Sequence, residues 1–118
     1  MHLMHTVVET AAYIAAARDG GVDAGTAAVI VETLAQNPTA GDVMVGTGGC
    51  RKVRFAGRGK GKSGGFRVIT FYSGDDLPLF LLTVFSKGER ADLSGAEQRA
   101  LRTLTKTLVE TYPRPRRR

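Results

Sequence analysis

The chain has 118 residues, 42% of them apolar, enough for one hydrophobic core and too ordinary for a fibrous or disordered polymer. Its net charge of +6 is unevenly spread: residues 1–50 hold one basic side chain (Arg18) against five acids, and residues 51–118 hold sixteen against six. That asymmetry points to a polyanionic partner, while the lone Cys50 excludes an internal disulfide and a cysteine-based metal cluster.

In chain order, Leu3–Val8 reads as a short strand and Glu9–Arg18 as an alanine-rich helix. Gly20-Gly21 breaks the chain. Asp23 is the N-cap of a second helix reaching about Gln36, with Ile30 and Leu34 one turn apart on its buried side. Asn37-Pro38 stops that helix. Residues 41–49 carry too much glycine for regular structure. Cys50–Ala56 reads as a strand, with Val53 and Phe55 on one face and Lys52 and Arg54 on the other. A second glycine-rich loop follows over residues 57–65. Phe66–Ser73 and Leu79–Ser86 are apolar strands joined by a hairpin-like connection, with Pro78 at the start of the second. Ser94 and Glu97 form a capping box that opens a last helix. Its Leu101, Leu104, Leu108 and Tyr112 face the core, and Pro113 ends it. The order of helices, three antiparallel strands and a helix is an α+β pattern. It predicts a single domain over 1–118 with a loose basic tail at 113–118.

The stretch Arg51–Arg67 holds seven cations and no acid. Arg51, Lys52 and Arg54 sit on a strand, Arg58, Lys60 and Lys62 alternate with glycine in a loop, and Arg67 begins the next strand. A solvated face normally interleaves acids, whereas like charges at this density repel one another, so the pattern favours a bound polyanion. The glycines allow backbone amides to approach phosphate. Gly57-x-x-x-Gly61-Lys62-Ser63 is one residue short of a nucleotide-binding P-loop and lies between two strands, which argues against nucleotide hydrolysis.

Three strings share an order: Asn37–Asp42, Gly46–Arg54, and Gly59–Ile69. With Leu81–Glu89 and Asp92-Leu-Ser94 they resemble the HigB-type toxins of the RelE/ParE superfamily, over about residues 34–105. The resemblance implies a RelE-like fold, with N-terminal helices and a C-terminal helix packed on a small, mainly antiparallel sheet. It also implies the toxin of a type II toxin–antitoxin pair: a ribosome-dependent mRNA endonuclease working without metal or cofactor. The alternatives are a non-catalytic ParE-like inhibitor of DNA gyrase and a plain RNA-binding module. The implied partners are a cognate antitoxin of HigA-like helix-turn-helix type, the ribosome and mRNA.

Carried over by position, the resemblance puts Lys52, Arg54, Arg67 and Lys87 in the catalytic cluster. Gly88 stands where an arginine is common in the superfamily, and Ser94 stands where a tyrosine is. Cleavage by a 2′-hydroxyl needs a base, positive charge for the phosphorane and a proton for the leaving 5′-oxygen. Lys52 is the candidate base, helped by crowding from Arg51, Arg54 and Arg67. The guanidinium forks of Arg54 and Arg67 suit the phosphate, and Lys87 or an unidentified group suits the acid. Arg51, Arg58, Lys60, Lys62 and Phe66 are assigned to binding RNA or the ribosome, Phe66 by stacking on a base. Tyr72 is a second stacking candidate. His2 and His5 read as solvated rather than metal-binding, and Cys50 as a small buried residue. No stretch approaches the roughly 20 apolar residues that span a bilayer. With no signal peptide at the N-terminus, the protein is expected in the cytoplasm, away from membranes.

Overall fold

The computed structural model describes residues 5–57, 65–90 and 92–114. The chain forms β1 (Val7–Glu9), α1 (Ala11–Asp19), α2 (Ala24–Gln36), β2 (Asp42–Val43), β3 (Cys50–Phe55), β4 (Phe66–Phe71), β5 (Leu79–Ser86) and α3 (Gly95–Thr111). All five strands join one sheet in the order β1-β5-β4-β3-β2. β1 runs parallel to β5, and the other pairings are antiparallel. The α+β reading therefore holds. It missed β2, a two-residue edge strand inside the glycine-rich stretch, where Asp42 and Val43 pair with Lys52 and Arg51.

Local chemistry sets where each helix begins. The Thr10 hydroxyl accepts the Tyr13 amide at 3.1 Å and donates to the Leu81 carbonyl at 2.8 Å, so it caps α1 and ties it to β5. Asp23 accepts the Thr26 amide at 2.7 Å and starts α2, as its position predicts. Ser94 and Glu97 form the predicted capping box at the head of α3.

The two faces of the sheet carry different cores. On one, α1 and α2 bring Tyr13, Ile30 and Leu34 against Val53, Phe55, Phe66, Val68, Leu79, Leu81 and Val84. On the other, Cys50, Ile69, Phe71, Phe80, Leu82 and Phe85 meet Leu93 and the half-buried Leu101, Leu108 and Tyr112 of α3. Leu104 is the exception to the predicted helix face, since it is exposed and Thr105 is buried instead. At about 100° per residue, positions 101, 105, 108 and 112 fall within about 60° of one another, while 104 lies about 100° from 105. Thr105 fits this stripe because its hydroxyl donates to the Thr47 carbonyl at 3.3 Å, fastening α3 to the loop before β3. Gly48 adopts φ +77° there, and any side chain on it would run into the Thr105 hydroxyl. Among the described residues, no helix is long and apolar enough to cross a membrane.

Candidate functional site

β3 alternates as its sequence requires. Val53 and Phe55 enter the core under α1 and α2, and Lys52 and Arg54 share the opposite face with Cys50. In the β3–β4 register Arg54 stands directly opposite Arg67, and Lys52 opposite Ile69. Directly opposed like charges destabilise an antiparallel pair. The two arginines differ in depth. Arg54 is exposed, while Arg67 is only 6% exposed and its Nη1 donates to the Phe66 carbonyl at 3.4 Å.

Lys52 is not surrounded by cations alone. Its Nζ lies 3.1 Å from Oδ2 of Asp92, in the segment leading to α3. The Leu93 amide, and then Lys52, hold the Asp92 carboxyl below the usual carboxylate range. Arg51, expected both to crowd Lys52 and to bind RNA, alternates to the other side of β3. Its Nη1 donates to the carbonyls of Thr39 (3.0 Å) and Gly41 (3.2 Å), where it pins the turn before β2.

Lys87 is exposed just beyond β5, and its amide donates to the Gly65 carbonyl at 3.0 Å. That bond puts Lys87 beside the start of β4, at the same end of the sheet as Arg54 and Arg67. Gly65 itself has φ +66°, and a Cβ there would collide with the Phe55 carbonyl. The need for glycine at this position is therefore one of close backbone packing rather than of phosphate binding. Arg58, Lys60 and Lys62 lie outside the described residues.

Phe66 corrects the stacking assignment. It is 1% exposed, on the face covered by α1 and α2, and offers no ring surface to a base. Tyr72 is remote, since five residues of β-strand at about 3.4 Å each separate it from Arg67. It donates a hydrogen bond to Asp75, which is the main reason its phenol is pushed up to about 12. Burial pushes the Cys50 thiol up to about 11, so it is a core residue and no nucleophile. Ser94 is engaged as a helix cap, which leaves no tyrosine in its place.

One cation at this end of the sheet was missed. Arg90 lies with its guanidinium carbon 4.9 Å from the centre of the Phe85 ring, and Phe85 is the direct cross-strand partner of Arg67. Nη1 of Arg90 also contacts Oε1 of Glu97 at 2.8 Å, an oxygen that accepts the Ser94 amide as well. The carboxyl of Glu97 is lowered, first by Arg90 and then by Ser94. The only hint in the sequence was a basic residue a few positions ahead of a capping box, which by itself fits any solvated turn.

The family model for the RelE toxin of the RelE/RelB toxin–antitoxin system matches residues 7–114, nearly the whole chain. The chain belongs to the RelE toxin family. A RelE toxin is one half of a toxin–antitoxin system, so a cognate antitoxin is its partner. In this RelE toxin Lys52, Arg54 and Arg67 share the face of the sheet that α3 partly covers, and Arg51 lies on the other.

Proposed function

We propose that this toxin is a HigB-type, ribosome-dependent mRNA endonuclease that stops translation in the cytoplasm. The observation that carries the reading is the direct pairing of Arg54 with Arg67 on the face that also presents Lys52. Such a concentration of guanidinium groups is unfavourable for the free protein and useful to a bound phosphate.

In the proposed reaction the 2′-hydroxyl of one nucleotide attacks the adjoining phosphate. The P–O bond to the 5′-oxygen of the next nucleotide breaks, leaving a cyclic phosphate and a free 5′-hydroxyl. Lys52 is the candidate to take the hydroxyl proton, and in the free protein its Nζ lies 3.1 Å from Oδ2 of Asp92. Arg54 contacts the phosphorane oxygens from the surface. Arg67, buried below it, supplies fixed positive charge that needs no reorganisation during the reaction. Lys87 is the candidate donor to the leaving oxygen. The antitoxin of this reading is a HigA-like helix-turn-helix protein encoded beside the toxin.

The test is translation-dependent mRNA cleavage on purified ribosomes by Lys52→Ala and Arg67→Ala. The proposal expects cleavage to fall by roughly 100-fold or more in each. Wild-type cleavage by both would sink the assignment. Normal single-turnover cleavage with weakened binding would reduce them to positioning groups. Intact mRNA together with DNA double-strand breaks on expression of the wild type would favour gyrase inhibition instead.

A further inference from the structure

We infer that Arg90 is a phosphate-binding residue of this same face and that Glu97 holds it in readiness when RNA is absent. The inference rests on the reading of the face as an RNA site. Two contacts carry it, and an electrostatic effect on Asp92 agrees with them. Phe85 stands directly beside Arg67 in the β4–β5 register, and the Arg90 guanidinium lies 4.9 Å from the Phe85 ring centre. Arg90 therefore sits over the strand neighbouring the Arg54–Arg67 pair. Arg90 also acts electrostatically on Asp92, the carboxylate bound to Lys52, which brings the fourth cation to the same cluster.

The manner in which Arg90 is held suits the role. An aromatic contact restrains a guanidinium while leaving much of its hydrogen-bonding edge available. Only Nη1 is engaged by Glu97, at 2.8 Å, and that side-chain pair is well exposed to solvent. An exposed pair of this kind is worth little, so a phosphate can replace the carboxylate at small cost. Glu97 stays satisfied after the exchange, because its Oε1 still accepts the Ser94 amide at 2.8 Å and keeps the α3 cap. A ligand phosphate spanning Arg54 and Arg90 would meet charge from β3 and from the turn after β5 at once.

The experiment measures binding of a single-stranded RNA oligomer to the full chain at several salt concentrations, alongside ribosome-dependent cleavage. Each phosphate contact contributes about 0.7 to the slope of log K against log salt for single strands. Arg90→Gln is expected to lower that slope by about one contact. Arg90→Lys should keep the slope, because it keeps the charge, and cleave more slowly, because it loses the fork. The control is Lys106→Gln, nine residues along α3 from Glu97, roughly 13 Å at 1.5 Å per residue; it should match the wild type in both assays. An unchanged slope in Arg90→Gln overturns the inference. So does an equal drop in Lys106→Gln, since only net charge would then be registering. A wild type that binds RNA with the expected slope yet cleaves nothing defeats the endonuclease reading and leaves the Arg90 assignment standing.

Discussion

The two faces of the sheet have been solved differently by the same strands. Under α1 and α2 the face is closed: Tyr13, Ile30 and Leu34 are at most 1% exposed and meet apolar side chains along β3, β4 and β5. Under α3 the cover ends part-way. Cys50 and Phe71 are buried, while Arg54, farther along the same face of β3, is open to solvent. One residue of register separates the two outcomes, because alternate side chains of β3 go to opposite faces. The closed face provides stability. The half-covered face places Lys52, Arg54 and Arg67 on a backbone made rigid from behind, the arrangement that binding a charged polymer in a fixed position demands.

Substitutions can break that division of labour. The largest expected loss of stability is on the closed face: Leu34→Ala should cost roughly 2–5 kcal/mol in chemical denaturation, through lost burial and the cavity left behind. The folded fraction should cleave like the wild type. Gly48→Ala comes next. A side chain at φ +77° beside the Thr105 hydroxyl should cost roughly 1–3 kcal/mol and loosen α3, seen as faster amide exchange in that helix. Ser94→Ala removes the cap of α3 and should cost about 1 kcal/mol, read from the thermal midpoint.

Acid provides the gentlest probe. The carboxyls of Asp92 and Glu97 are lowered in the folded protein from ordinary values of 3.8 and 4.5. Their contribution to stability is therefore fully present above those values and is lost as pH falls below them, through the lowered folded-state values. Both groups are largely solvated, so the effect should be small. Asp92→Asn with Glu97→Gln should flatten that part of the stability–pH curve.

Much of this fold was legible in the sequence because its signals are local. The Asp23 and Ser94 caps, the alternation of β3 and the bounds of β5 each follow from a few neighbouring residues. β2 was missed because two residues in a glycine-rich stretch have no periodicity; their pairing with Arg51 and Lys52 makes them a strand. Leu104 was misassigned because leucine spacing alone does not reveal that the Thr47 carbonyl recruits Thr105 inward. The candidate site divides similarly. Lys52 and Arg54 were visible through period-two alternation, as was the closeness of Arg67 in the next strand. The burial of Phe66, the use of Arg51 to hold a turn, the ion pair between Lys52 and Asp92, and the convergence of Arg90 all depend on contacts between segments distant in sequence. The basic stretch is therefore less uniform than its composition suggests, since Arg51 serves the fold while its neighbours on alternate positions face the open side.

The claim that the open face exists for a bound phosphate is tested most directly at Arg54, whose side chain is exposed and contributes to neither core. Arg54→Ala should be measured by chemical denaturation and by ribosome-dependent mRNA cleavage on the same preparation. The account predicts stability equal to the wild type or slightly greater, because a like-charge pair with Arg67 has been relieved, and cleavage reduced by roughly 100-fold or more. Wild-type cleavage by a normally folded Arg54→Ala protein would contradict it.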